Sequence, residues 1–162
     1  AQNVLGLFYN EGLGTSKDLK KAVYWYKKAS LKGDVKAQNN LGIMYLNGYG
    51  TKRNYRKAMF WFKRAAKSGL SQAFNNIAQL YAKGLGVKKS HKKATFWLRK
   101  GAKKGDLFSQ YKLGSMFEYG HGVRKDSDKA FYWYSLAADR GHRPSQQRIK
   151  YLRPYGDAFS PL

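Results

Sequence analysis

The sequence predicts an all-α chain, a stack of four 36-residue helix–turn–helix repeats closed by a C-terminal capping helix. Three observations lead there. All four tryptophans, Trp25, Trp61, Trp97 and Trp133, stand 36 residues apart. Glycines keep the same period in three columns: Gly12, Gly48, Gly84 and Gly120; Gly14, Gly50, Gly86 and Gly122; Gly33, Gly69, Gly105 and Gly141. Within each period, apolar residues recur at i, i+3 and i+4, as in Leu41, Met44 and Tyr45, which is the spacing of one helix face. Periods of this length mark supersecondary units that bury their apolar faces on one another. The spacing places repeats at 1–36, 37–72, 73–108 and 109–144 of a single repeat domain, a capping helix over 145–153 and a tail over 154–162.

The first helix of each repeat is expected to begin near the position of Ala37 and to end at the Gly-x-Gly pair, because glycine tolerates the left-handed conformation that closes a helix. The second helix should start after Asp18, Asn54, Ser90 or Asp126, whose side-chain oxygens suit the free amides of a first turn. It runs through Ala22, Trp25, Tyr26 and Ala29 and stops before Gly33. Asp34 and Asp106 fall in the turns between repeats. Gly6, Gly42, Ala78 and Gly114, with Ala22, Ala58, Ala94 and Ala130, provide small positions for close helix approach. The Trp column and Tyr9, Tyr45, Tyr81 and Phe117 fill the space around them. Most aromatics are therefore assigned to the core. The stretch Ser145–Leu152 repeats the start of a first helix and reads as a polar cap.

Composition bounds the function. The net charge is +23, from 32 Lys and Arg against 9 Asp and Glu, a field that draws polyanions and acidic partners. The absence of cysteine rules out disulfides and thiolate metal sites. No apolar run reaches the roughly 18 residues that cross a bilayer. No signal-peptide pattern is visible, and the chain fits cytoplasm, periplasm or secretion alike. The "GLGTSKD" stretch at Gly12–Asp18 suggests a phosphate loop, yet it lacks the G-x-x-x-x-G-K-[ST] pattern and recurs in every repeat. His91, His121 and His142 occupy different columns without recurring carboxylates, so no metal site is expected. No nucleophile–base pairing stands out. A non-enzymatic chain without cofactor or small-molecule substrate is the expectation.

The pattern A-Q-x-x-[LI]-G-x-[LMF]-Y…G-x-G…[DNS]-x-x-K-A-x-x-W-[YF]-x-[KR]-A-[AS]…G, carried over residues 1–144, resembles the Sel-one-like repeat, a relative of the tetratricopeptide repeat. Ala78 in place of glycine, Gly101 in place of alanine, Phe117 in place of tyrosine and Leu98 in place of an aromatic are the departures. The resemblance implies a right-handed α-solenoid whose first helices line a concave face. It also implies an adaptor role in holding proteins or peptides, rather than catalysis.

Two surfaces are candidates for binding. On the first helices, Asn3, Asn39, Asn75 and Tyr111 form one column, and Asn40, Asn76 and Lys112 continue the next. One turn on come Leu7, Ile43, Gln79 and Ser115, then Glu11, Asn47, Lys83 and Tyr119. A ladder of asparagines offers donors and acceptors to an extended peptide backbone. Asparagine is also a poor helix former, which argues against a merely solvated face. The expected partner is a protein or peptide, acidic in character, bound by a monomer. The second surface is a basic ladder around the start of each second helix: Lys17; Lys52, Arg53 and Arg56; Lys88, Lys89 and Lys92; Arg124 and Lys125. Beside free helix amides, these could form one anion notch per repeat. The alternative function is therefore polyanion binding to nucleic acid, anionic lipid or polysaccharide. A bacterial inhibitor gripping an acidic effector is a narrower version of the first reading.

Overall fold

A computed structural model describes residues 2–152. Within them the chain is helical throughout its regular structure: α1 (Gln2–Glu11), α2 (Leu19–Leu31), α3 (Val35–Asn47), α4 (Tyr55–Lys67), α5 (Ser71–Lys83), α6 (His91–Lys103), α7 (Leu107–Tyr119), α8 (Ser127–Ala138) and α9 (Arg143–Leu152). These are four helical hairpins followed by a C-terminal helix. The helices divide after Ser90 into two compact units, α1–α5 and α6–α9. The tail expected over 154–162, and the last residue of the expected capping helix, lie outside the described residues.

Each hairpin turn is built the same way. At the end of α3, the N–H groups of Gly48 and Tyr49 both donate to the Met44 carbonyl, at 2.9 and 3.0 Å, while Gly48 takes a φ of 75°. The chain then returns so that the Asn54 N–H donates to the Tyr45 carbonyl at 2.8 Å. Asp18, Ser90 and Asp126 make the equivalent backbone bond to Tyr9, Tyr81 and Phe117. The side chains of Asp18, Asn54 and Asp126 accept from the N–H three residues on, at 2.9–3.0 Å, and so cap α2, α4 and α8. The second glycine serves a different end. A Cβ on Gly50 would overlap the Leu19 carbonyl, and one on Gly122 would overlap that of His91. Those turns rest against the start of the preceding second helix, where only glycine leaves room.

The first helices start two residues earlier than the repeat pattern suggested. Asp34 and Asp106 are their caps, accepting from Ala37 N–H and Ser109 N–H at 2.8 Å. The same position before α5 holds Leu70, which has no side-chain oxygen to offer, and α5 begins without a side-chain cap. The helix α9 likewise starts at Arg143 rather than 145, behind His142, whose Nδ1 receives the Ser145 N–H at 3.3 Å.

Packing follows the small-beside-large rule, with one change of partner. In the first, second and fourth repeats the small residue of the first helix meets the ring that follows the tryptophan on the second. A Cβ on Gly6 would come within 2.5 Å of the Tyr26 ring, on Gly42 within 2.5 Å of Phe62, and on Gly114 within 2.8 Å of Tyr134. The third repeat carries Ala78 and Leu98 in these two columns. Ala22, Ala58, Ala94 and Ala130 are fully buried. Hairpins are joined to the next first helix by glutamine: Gln38 donates to the Ser30 carbonyl and Gln110 to that of Ala102, at 3.3 and 3.2 Å. Gln146 on α9 repeats that bond to the Ala138 carbonyl at 3.1 Å, so α9 docks on the fourth hairpin as a first helix does.

Candidate partner-binding face

In the first unit, the asparagine columns behave according to what the ring after the tryptophan of the preceding repeat offers. Tyr26 is buried on α2, and its hydroxyl is hydrogen-bonded to the side chain of Asn40 on α3. Burial, then the negative charge of Glu11, pushes the Tyr26 phenol up to about 12, with the Asn40 bond opposing. One repeat later the ring is Phe62, which has no hydroxyl. Asn76 turns instead to Asn39 and donates to its Oδ1 at 2.9 Å. Asn39 is only 5% exposed, so this pair bonds repeat to repeat and has little surface left for a partner. The Asn3 Oδ1, in the same column, is buried without a hydrogen-bond partner among the described residues.

A cavity of about 460 Å³ opens beside this network. Leu7, Asn10 and Glu11 of α1 form one wall, and Asn40, Ile43 and Met44 of α3 form the other. Lys17, Leu19, Tyr26 and Tyr49 complete it. The turn geometry explains the meeting of the last members: Gly50 sits on the Leu19 carbonyl, which brings Tyr49 to the start of α2. The cavity therefore joins apolar walls to amide, phenol, carboxylate and ammonium groups. Of the predicted face residues, Asn40, Ile43 and, from the basic ladder, Lys17 line it. Asn47 bonds back to the Ile43 carbonyl at 3.2 Å, Asn75 is half-buried, and Gln79 and Lys83 are exposed. Leu7 and Glu11, from the same columns as Ile43 and Asn47, line it as well, whereas Asn10 and Tyr49 were not anticipated. The signal for Tyr49 lay in the glycine column that presses each turn onto the preceding second helix.

In the second unit the same face is occupied by the chain itself. Tyr111 packs against Tyr134 and His142, with ring centroids 5.5 and 5.0 Å apart. Glu118 accepts from the Tyr134 hydroxyl at 2.7 Å and from Arg148 Nε at 3.2 Å, and also pairs with Arg148 Nη2. Arg148 donates to the Tyr119 hydroxyl at 2.8 Å. Burial, then Tyr111, raises the Tyr134 phenol above its ordinary range. Lys112 remains exposed. His91 and His121, placed in separate columns by sequence, stack at 5.6 Å because Gly122 rests on His91.

The basic ladder is exposed throughout: Lys17, Lys52, Arg53, Arg56, Lys88, Lys89, Lys92, Arg124 and Lys125 all face solvent. The notch itself is different from expectation at two positions. Asp18 and Asp126 place carboxylates on the amides of α2 and α8 and pair with Lys21 and Lys129 at 3.7 and 2.5 Å. The Lys21 N–H holds the Asp18 carboxyl below its ordinary value, and the Lys129 ammonium does the same for Asp126. Helical dipoles there already hold an anion of the chain's own.

Successive helical hairpins with this glycine and tryptophan register define an α-solenoid repeat protein. The Sel1 repeat model matches residues 1–34, 35–70, 71–106 and 107–142, so the chain belongs to the Sel1 repeat family. Those boundaries coincide with the observed helix starts. The chain is similar to a Sel1 repeat protein from Oxalobacter formigenes, at 36% identity and a TM-score of 0.86, over 91% of this chain and 59% of that one. It also resembles c5321, a protective antigen of uropathogenic Escherichia coli, at 32% identity and a TM-score of 0.60, over 93% of this chain and 40% of the other. An immunity protein of Pseudomonas aeruginosa, Pa5087, shares the fold at 22% identity and a TM-score of 0.64, over 91% and 58% of the two chains. The chain thus spans well under two thirds of the length of these proteins. Among curated proteins none matches the sequence. Sel1 repeat proteins are generally scaffolds for protein interaction and typically lack enzymatic activity. No helix among the described residues is long and apolar enough to cross a membrane.

Proposed function

We propose that the chain is a non-enzymatic interaction module that takes an extended, acidic protein segment along its first helices. The cavity between α1 and α3 carries this reading. Its volume of about 460 Å³ has room for one or two side chains of a bound segment. Asn10 and Asn40 stand at its wall to meet backbone groups, Leu7 and Ile43 offer apolar contact, and Lys17 stands ready for a carboxylate. The charge of +23 would steer an acidic partner to that surface.

Selection of peptides from a displayed library on the purified chain at about 0.3 M salt, where the Debye length is well below 8 Å, tests the reading. Selected peptides should be enriched in Asp or Glu and should lose at least tenfold in affinity to Lys17→Gln with Tyr49→Ala. Both side chains lie at exposed positions, so the melting temperature should hold. Peptides that bind the double variant as tightly as the parent chain would refute this assignment. Asn40 and Asn76 are poorer probes, because each is tied to Tyr26 or Asn39 and its loss disturbs the packing.

A second reading, polyanion binding on the outer side of the second helices, is favoured by one observation. Large aromatic rings are exposed there beside the cations, at Tyr24, Phe60, Phe96 and Tyr132.

A further inference from the structure

Tyr24, Phe60, Phe96 and Tyr132 hold one column of the repeat and are 51%, 52%, 55% and 56% exposed. Sequence reasoning places most aromatics inside; this column lies outside. Each ring meets the following tryptophan edge to face, with centroids 5.3, 5.1, 5.7 and 5.1 Å apart. The tryptophan thereby fixes the ring's orientation from the more buried side. One helical turn on, a cation covers both rings of the pair. Lys28 Nζ is 4.7 Å from the Tyr24 ring and 5.6 Å from Trp25. The Arg64 guanidinium is 5.8 and 5.7 Å from Phe60 and Trp61. Lys100 Nζ is 4.6 and 5.1 Å from Phe96 and Trp97. The fourth repeat has the rings but carries Leu136 in the cation's place.

An outer helix face that only needs water carries Lys, Glu or Gln; repeating an exposed Tyr or Phe keeps a large apolar surface wet. Anionic lipid headgroups and sulfated sugars present charge that the basic ladder alone can meet. What a column of oriented rings adds is a flat π-surface at a fixed distance from a positive charge. That pairing is the requirement of single-stranded nucleic acid, whose bases each present a π-face and whose phosphates follow at short intervals. Lys28 and Arg64 are long and flexible, so each can leave its ring for a phosphate as a base takes the ring.

We propose that the outward face of the second helices binds single-stranded nucleic acid, with bases stacking on Tyr24 and Phe60 of the first unit and Lys28 and Arg64 pairing the phosphates. Phe96 with Lys100 forms a like rung in the second unit, and Tyr132 a rung without its cation. The inference rests on the polyanion reading and narrows it to one class.

The test uses the full chain, a fluorescein-labelled oligo-dT of about twenty nucleotides, heparin, and vesicles rich in anionic lipid, with anisotropy or co-sedimentation read from about 0.05 to 0.2 M NaCl. Tyr24→Leu with Phe60→Leu keeps apolar bulk and charge but removes the π-surfaces. It should weaken oligo-dT binding roughly 25-fold, about fivefold per ring at the low end of measured stacking. The slope of log K against log salt should stay the same, as should heparin affinity. Lys28→Gln with Arg64→Gln should lower that slope by about 1.4, about 0.7 for each phosphate left unneutralised. Leu136→Lys should tighten oligo-dT. If oligo-dT and heparin both bind and neither responds to the ring variant, polyanion binding stands and the present inference falls. If vesicle binding alone responds to the rings, the inference falls as well. If nothing binds at 0.05 M, both fall.

Discussion

Helices α3 and α7 occupy the same place in their repeats and use it in opposite ways. The face of α3 is left open: Asn40 and Ile43 stand over a cavity, and Asn39 ties the repeat to the next one. The face of α7 is consumed by the chain itself, through Tyr111 against His142 and Glu118 against Arg148 of α9. The backbone register is shared, so the difference lies in side chains at two columns. Asparagine at that column ties α3 to the next repeat through Asn76 and leaves the cavity wall at Asn40 and Ile43 uncovered. Tyrosine and glutamate, facing an arginine on the next helix, close it. A repeat array thus keeps a cavity open in one unit and closes the same face in the other by a few substitutions on one scaffold.

The largest way to break the comparison is at the contact both helices share, the glycine under a ring. Gly42→Ala places a Cβ 2.5 Å from Phe62 Cε1, and Gly114→Ala places one 2.8 Å from the Tyr134 ring. Each should cost about 1–3 kcal/mol, the usual penalty of overpacking, with Gly42→Ala the more severe by thermal melting. Gly42→Ala combined with Phe62→Leu installs the two residues that the third repeat carries. That double variant should recover a large part of the loss. If it is additive with the two single losses, the column exchange has no packing basis.

The next effect separates the two faces. Glu118→Gln removes the charge that meets Arg148 while leaving the Tyr134 bond possible. Breaking a fully buried pair costs about 3–5 kcal/mol, and Arg148 retains 32% of its side-chain exposure, so about 1–3 kcal/mol is expected here. Hydrogen exchange should rise in α9 far more than in α3. Equal protection in α9 before and after would show that the glutamine bond of Gln146 and the buried Ser145 alone hold the helix.

Much of this is legible in the sequence, and the parts that are not have definite causes. The hairpins, the glycine turns and the caps at Asp18, Asn54 and Asp126 follow from residue type at a fixed spacing. The starts of α3 and α7 escape such reasoning because Asp34 and Asp106 look alike as turn residues and as caps until the N–H they bind is located. The split behaviour of Asn40 and Asn76 depends on a hydroxyl in the preceding repeat, present at Tyr26 and missing at Phe62. The exposed ring column lies next to the tryptophans on the helical wheel. A single repeat gives no means of telling which edge of an apolar stripe the neighbouring hairpin covers.

Tyr26 provides a smaller and pH-resolved effect on the open side. Its phenol is raised from an ordinary value of 10 to about 12 in the folded chain. A raised folded value means that its contribution is complete below pH 10 and is lost as pH climbs towards 12. Stability should therefore decline across that window, and Tyr26→Phe should flatten part of the decline. At neutral pH the same variant should cost about 1 kcal/mol through the hydrogen bond with Asn40. An alkaline profile identical in the variant would assign the decline to other groups, Tyr134 first among them.

The smallest effect sharpens the comparison by repairing a start that neither α3 nor α7 needs repaired. Leu70 precedes α5 at the position where Asp34 and Asp106 cap their helices, and α5 has no side-chain cap. Its backbone is already extended, at φ −67° and ψ 114°, close to the −62° and 112° of Asp34, so an aspartate could take over the Ala73 N–H, which otherwise donates to the Leu70 carbonyl at 3.1 Å. Leu70→Asp gives up some apolar contact at a half-exposed position and adds a carboxylate at a helix N-terminus in a strongly basic chain. The net gain should be about 0.5–1 kcal/mol, within the range of N-cap replacements, and should shrink as pH falls below the carboxylate range. A destabilised variant would mean that Leu70 is held there by packing, and that the third repeat begins with an apolar staple where its neighbours use a cap.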